Sequence, residues 1–434
     1  LQYLAMSSKH YLLLVLLGLT ITAIAKADEA NVSGEPKPLS KEILERWTPG
    51  GDTNDPDLPY PQITAPFQAE KDDSWIDDRW QRTVKGPFIS HSILLPDYEI
   101  GPKVMAIDAG AGTFLLYDLE AGSFVVAVTA GELRIDAARF GLLNRPSLSG
   151  NVAFHIPSVG IWHKRAIGNH VEKAVVDYQG LHIHNNRVLL ATPVDSIEVS
   201  ESALPCEEAG IVVREIELGP HDAAMWTNVA AGNGIEILDD GMRAIYQDRK
   251  GNRHTVNIHG ASTGIHFEQS GSSVLLHWPE STKPSAARLR YWQNDTKTTA
   301  SVDTSTAKLE IAPLPPELAS LKASGGRRWG EPLVTRGELA SESELPYVVD
   351  RIPPPKDNPF NALFFLAGLD FFSNGDAAVC TVHGDVWIVH GLDAGLKQVT
   401  WQRFATGLYQ PLGLEVVDGK VIVLGRDQLT RLHD

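Results

Sequence analysis

The sequence predicts an all-β chain: an antiparallel β-sandwich-like domain followed by the first blades of a β-propeller. Short apolar runs rich in Val, Ile, Tyr, Phe and Trp recur along most of its length, with Gly, Asp and Asn turns between them. No stretch sustains the 3.6-residue apolar period of an amphipathic helix, so alternating βαβ units are excluded. Near the C-terminus two hairpin phrases, around GDVW (residues 384–387) and GRDQLTRL (residues 425–432), stand about forty residues apart, the interval of propeller blades.

Taken in order, Met6, Lys9, the apolar run 11–24 and Ala25-Lys26-Ala27 form the basic, apolar and small-residue regions of a secretory leader over 1–27. The run is short for a membrane span. The expected location is therefore periplasmic or extracellular, with no stable membrane span after cleavage. Residues 28–74 read as an extended Pro- and Asp-rich arm carrying one short helix at 40–47, with Ser40 as its cap.

From 75 to 320 the short strands of the sandwich-like domain follow one another: 104–107, 113–117, 123–128, 151–156, 173–178, 187–191 and 196–199, then 211–218, 224–229, 242–247, 255–259, 264–269, 273–278 and 287–293. A short helix is expected at 314–323. Residues 321–346 are Gly-rich and charged and read as a linker. RIPPPKDNP (residues 351–359) gives a stiff polyproline-like lead into the propeller start, 347–434. Its strands are expected at 377–381, 386–390, 414–417, 421–424 and 429–432, with Asp-Gly at 418–419 as a hairpin signal.

A chain of 434 residues with 43% hydrophobic content can bury a substantial core. A formal charge of −16 opposes nucleic-acid binding, which needs Lys and Arg on the phosphates. The two cysteines, Cys206 and Cys380, are too few for a disulfide framework or a four-thiolate metal site. Cys380 sits inside an apolar strand and reads as a small buried hydrophobe.

Several residue patterns are candidates for chemistry. GASTG (residues 260–264) has the form of a serine-hydrolase elbow around Ser262, but IHFEQ after it alternates as a strand, whereas that elbow needs a helix. His182 and His184 share one face of a strand, the spacing of two metal ligands or of a solvated pair. His259 and His266 flank the glycine turn. Trp162, Trp226, Trp278, Trp292 and Tyr291 read as core, with a sugar-stacking platform as the alternative. In the terminal region His383, Asp385, Arg403, Gln410, Arg426 and Asp427 lie at or near turns between apolar strands. They are either binding groups carried on loops or turn-makers and paired charges.

The runs DFFSNGDAAVCTVHGDVWIVHGLD (370–393) and WQRFATGLYQPLGLEVVDGKVIVLGRDQLTRLHD (401–434) resemble the opening blades of the glucose/sorbosone dehydrogenase-type propeller. That propeller occurs in secreted bacterial proteins known as membrane-bound dehydrogenases or haem-binding proteins. GPFIS (86–90), RFGLL (139–143) and DYQGLHIHNNRVLL (177–190) are similar to the domain of unknown function that precedes it there, and YVVDRIPPPKDNPFNALFF (347–365) to the link between the two. The resemblance implies that this is the N-terminal part of a longer exported protein. The complete propeller would hold pyrroloquinoline quinone (PQQ) and calcium, oxidise a carbohydrate or small alcohol, and pass electrons to a haem c module with Cys-x-x-Cys-His. It also implies Asp434 as the first carboxylate of a calcium loop. No position matches the family's catalytic histidine, so the catalytic residue is unassigned and this part alone is expected to be inactive. The alternatives are a non-catalytic scaffold that binds carbohydrate or protein and, more remotely, a serine hydrolase using Ser262.

Overall fold

Every named strand pairs with antiparallel neighbours, as β-branched and aromatic runs separated by tight turns require. The computed structural model describes residues 79–135, 145–158, 160–165, 171–205, 208, 210–294, 318–322, 328–340 and 349–433, all within the unit Ile76–Asp434. The leader, the 28–74 arm with its helix at 40–47, Cys206 and Asp434 lie outside the described residues. Among those described, no helix is long and apolar enough to cross a membrane.

The first sheet is a meander of β1 (Phe88–His91), β2 (Val104–Asp108), β3 (Phe114–Asp118), β4 (Ser123–Arg134) and β5 (Ser147–His155). The next strands are β6 (Trp162–Arg165), β7 (Val171–Lys173), β8 (Gly180–His184), β9 (Arg187–Ala191), β10 (Val199–Leu204), β11 (Ile211–Leu218) and β12 (Met225–Ala231). They are followed by β13 (Asn233–Leu238), β14 (Arg243–Gln247), β15 (Arg253–Ala261), β16 (His266–Ser270), β17 (Ser273–Trp278) and β18 (Ser285–Gln293). These divide between an eight-stranded sheet, β13-β14-β15-β18-β11-β10-β9-β8, and a five-stranded one, β16-β17-β12-β6-β7.

One continuous apolar core joins the three sheets, with Tyr117, Phe124, Phe154, Trp162, Tyr246, Trp278 and Tyr291 buried in it. Trp162 donates its indole N–H to the Gly122 carbonyl at 3.2 Å and Trp278 to the Thr227 hydroxyl at 3.0 Å. Trp226 and Trp292 are also buried. All five large aromatics are therefore core, and the sugar-stacking platform is set aside because no face of theirs is free.

The last strands are β19 (Leu333–Thr335), β20 (Leu366–Phe371), β21 (Ala377–Thr381), β22 (Val386–His390), β23 (Val399–Ala405), β24 (Gly413–Val417), β25 (Lys420–Leu424) and β26 (Leu429–Arg431). β20 to β23 run up and down as one four-stranded meander, and β24 to β26 begin a second. The stretch expected to be a linker contributes β19, which adds to this first meander beside β23. Three other expectations shift. The strand expected at 196–199 starts only at Val199 and runs to Leu204, with Ile197 making an isolated bridge to Val194. The strand expected at 173–178 ends at Lys173, with Val176 making only an isolated bridge to Val194. The helix expected at 314–323 appears as a 3₁₀ turn, Leu318–Lys322.

The C-terminal stretch 349–433 is tied to the beginning of the first sheet. Thr83 donates its hydroxyl to the Asn361 carbonyl at 2.7 Å, Val84 its N–H to Phe360 at 2.9 Å, and Ser90 its N–H to Gly407 at 2.7 Å. Gly407 has φ +85°, and a Cβ there would meet the Phe88 carbonyl oxygen at 2.5 Å, so only glycine permits this approach.

Candidate functional site

The turn between β14 and β15 is organised by one carboxylate. Asp248 Oδ1 accepts the N–H groups of Lys250 and Asn252, both at 2.8 Å, while Oδ2 accepts the Asn252 amide at 2.9 Å and meets His254 Nε2 at 3.1 Å. Burial pushes the Asp248 carboxyl up, but the bonds from Asn252 and His254 outweigh it and leave the group below its ordinary value. An ionised carboxylate only accepts, so Nε2 of His254 carries the proton. Burial also holds His254 below the ordinary histidine value against the pull of Asp248. The neutral ring then presents a bare Nδ1, buried and without a hydrogen-bond partner.

His254 is in the wall of a cavity of about 240 Å³. Tyr98 and His155 stand at its side with ring centroids 5.0 Å apart, and Tyr246 stacks on His254 at 5.4 Å. Asn233, Arg249 and Ser272 supply polar groups that are exposed at the rim. Burial lowers the His155 pKa, and its Nε2 lies 3.3 Å from the Glu99 carbonyl. Lys250 crosses the Tyr98 ring at 5.8 Å while pairing with Asp97 at 3.0 Å. The cavity is below the usual volume of drug-sized sites, about 300 Å³ and upward. It combines an aromatic wall and a polar rim.

The six polar residues singled out near the C-terminus fall into closed contacts. Arg403 and Asp385 form a buried ion pair at 2.6 Å; the same guanidinium donates to Thr406 Oγ1 at 3.0 Å and to the Val84 carbonyl at 2.6 Å. Trp329 and Phe360 cover its faces at 4.6 and 5.0 Å. Burial raises the Asp385 pKa, with Arg403 opposing. Arg426 donates to Gln410 Oε1 at 3.0 Å and lies 5.5 Å from the Tyr409 ring. Asp427 accepts a short hydrogen bond from Ser90, and its pKa is raised by burial with that bond opposing. His383 lies edge-on to Phe365 at 6.3 Å. Asp385 and Arg403 thus act as paired charges, and the set forms no cradle for a quinone: its buried cation is consumed by Asp385, Thr406 and Val84.

Ser262 leads into β16 and not a helix, and its Oγ accepts the Ala286 N–H at 3.0 Å, so the elbow geometry is missing. His182 and His184 share a face of β8, the edge of the eight-stranded sheet, and no third metal-type ligand joins them among the described residues. Cys380 is buried and free. The cavity residues were not visible in the sequence. Tyr98, His155, Asn233 and His254 are separated by long intervals that carry no spacing signal; only the Asp-Arg-Lys-Gly-Asn turn hinted that Asp248 would organise its surroundings.

No family model matches the chain, and no curated protein does. Among solved structures it is similar to the heparan sulfate lyase HepC from Pedobacter heparinus, at 10% identity and a TM-score of 0.24 over 43% of this chain and 36% of that one. A mutant of the same lyase gives 10% identity and a TM-score of 0.23 over 44% and 33%. The chain spans about a third of the length of those enzymes.

Proposed function

We propose that the chain is a binding scaffold whose β-sandwich-like part holds a small neutral polyhydroxyl ligand of the carbohydrate class in the cavity beside His254. The carrying observation is the bare, buried Nδ1 of His254, an acceptor with no partner on a residue that lines a cavity with an aromatic wall. A buried acceptor without a donor costs about 1–3 kcal/mol, and a ligand hydroxyl would recover it while a sugar face packs on Tyr98. Binding of monosaccharides to the full chain, followed by ¹³C/¹H shifts of the His254 ring and by calorimetry, tests this. His254→Phe keeps the ring volume and is expected to abolish saturable binding. If no monosaccharide perturbs His254, the reading fails.

A second reading is favoured by the two successive up-and-down meanders, β20–β23 and β24–β26. A longer exported protein would complete a propeller and act as a PQQ- and calcium-dependent sugar or alcohol dehydrogenase with a haem c partner. Dye reduction by that full-length protein with added quinone, calcium and a panel of aldoses and alcohols tests it; no reduction with any of them overturns it. The chain described here is expected to give none alone.

A further inference from the structure

The hairpin of β16 and β17 brings together three metal-type side chains from the outer edge of the five-stranded sheet. His266 and Glu268 are two apart and share a face of β16, and the register sets His266 directly opposite His277 on β17. One nitrogen from each ring and one oxygen of Glu268 lie within 4.8 Å of one another. β16 is the edge strand, and the side chains of His266 and Glu268 remain about a third exposed, so an ion has access from solvent.

The proton arrangement sharpens this. His266 Nδ1 lies 2.9 Å from the Gly264 carbonyl, a contact that only a protonated Nδ1 makes as a hydrogen bond. In the neutral ring the other nitrogen, Nε2, is a bare lone pair, and it faces Glu268 Oε1 at 3.3 Å. Two acceptors at that distance call for a positive charge between them, either a proton or a cation. Glu268 Oε2 accepts the indole N–H of Trp226 at 3.1 Å, and the Trp226 ring also packs on His277 with centroids 5.0 Å apart. Two of the three ligands are thus oriented by outer partners, the arrangement that protein metal sites use. Gly241, with φ +87°, lets the preceding turn pack against His266; a Cβ there would come within 2.9 Å of the His266 Cβ.

We propose that His266, Glu268 and His277 bind a divalent transition-metal ion of the zinc class. Two imidazoles and a carboxylate suit zinc, cobalt or nickel and not calcium or magnesium, which take oxygen shells. Three protein ligands leave a fourth position open to water or a substrate oxygen. Ligand atoms about 2.1 Å from one tetrahedral ion are about 3.4 Å apart, close to the 3.3 Å between His266 Nε2 and Glu268 Oε1, and the third ligand atom lies within 4.8 Å of both. This site is separate from the cavity beside His254 and does not depend on the carbohydrate reading.

The experiment is titration of the metal-free full chain with zinc by calorimetry and with cobalt by visible absorption. One ion per chain is expected, with the d–d bands of a low-symmetry cobalt site. His266→Ala, Glu268→Gln and His277→Ala should each weaken binding at least tenfold, and Trp226→Phe, which removes the N–H and keeps the packing, by about tenfold. The double variant His182→Ala/His184→Ala should bind as the parent does. Circular dichroism confirms that each variant is folded; if His266→Ala is not, Glu268→Gln and Trp226→Phe carry the test. Equal zinc affinity in the parent and in Glu268→Gln, or a His266 ring that stays doubly protonated by ¹⁵N NMR in the presence of zinc, overturns the proposal.

Discussion

Two arginines are equally buried in this molecule and are held in opposite ways. Arg214, on β11, meets Glu201 on the neighbouring β10 at 3.0 Å and donates to Ser123 on β4 at 2.7 Å, while Ser123 donates to the second Glu201 oxygen at 2.9 Å. Arg403, on β23, pairs with Asp385 but also reaches the Val84 carbonyl, 319 positions away in the chain. The first cluster lies inside a core that would form without it. The second lies where the C-terminal meanders meet the first sheet, so it ties two distant parts of the chain together.

The largest effect expected from this difference comes from Asp385→Ala. Removing one member of a buried pair leaves its partner's charge uncompensated and costs about 3–5 kcal/mol. Glu201→Ala should cost a similar amount in denaturant melts. The location of the loss separates the two: in Asp385→Ala, hydrogen exchange should quicken at the Val84 and Ser90 amides, which bond to Phe360 and Gly407. In Glu201→Ala those amides should keep their protection until global unfolding. Uniform exchange in both variants would erase the distinction.

Acid should act on the same junction. His91, buried against Tyr409 with ring centroids 4.1 Å apart, is lowered to about 4 by burial, with its bond to Ser92 opposing and Arg426 and Arg145 adding to the fall. The unfolded chain binds this proton first, so the stability is present above the unfolded value near 6.5 and is lost as pH falls to about 4. A shift of that size corresponds to about 3 kcal/mol. Asp427, raised by burial, works the other way: its contribution is present at low pH and fades as pH rises through its folded value. Denaturation at pH 7 and pH 4 should therefore show the loss shrinking by about 3 kcal/mol in His91→Phe, and growing in Asp427→Asn.

How much of this was legible in the sequence depends on where each residue's partner lies. Ile211–Leu218, Ser273–Trp278, Ala377–Thr381 and Val386–His390 appear within their expected bounds, because β-branched runs closed by turn residues state their own limits. β1, β6, β13, β19, β20 and β23 fall outside every expected strand. Leu366–Phe371 leaves half of its residues exposed and buries none fully, and β1 is buried on both faces with Ser90 and His91 among its four residues, so neither alternates as a half-buried strand should. The zinc-type cluster was half visible. IHFEQ was recognised as a strand, and the two-residue loop Gly271–Ser272 fixes the register that sets His266 against His277. The cavity at His254 was not, since its walls come from five separate segments.

A smaller effect is expected where Gly407 approaches the Phe88 backbone. Gly407→Ala adds a methyl group against the Phe88 carbonyl in a left-handed conformation and should cost about 2 kcal/mol. Gly419, also left-handed at φ +71° but with open space around it, should lose only about 1 kcal/mol on the same substitution. Equal losses in thermal melts would mean that the junction yields to the added methyl.

The smallest effect distinguishes the two arginine clusters by a neighbour that only one of them has. Half-buried Lys85 bonds to the Gln81 and Thr83 carbonyls near Asp385 and Arg403, and burial lowers its pKa to about 8, with Asp385 opposing and Arg403 adding to the fall. Its folded value lies below the unfolded one, so between about pH 8 and 10.5 the unfolded chain holds the extra proton and stability rises with pH. At pH 7 the buried charge is a cost. Lys85→Met should therefore stabilise the chain at pH 7 by about 1 kcal/mol after screening, and the gain should vanish as pH approaches 10.5. Among the described residues no such lysine acts on the Arg214 cluster, and conservative changes there should not produce this slope. Loss of stability in Lys85→Met at every pH would mean that the ammonium is held by its carbonyl partners more strongly than burial penalises it.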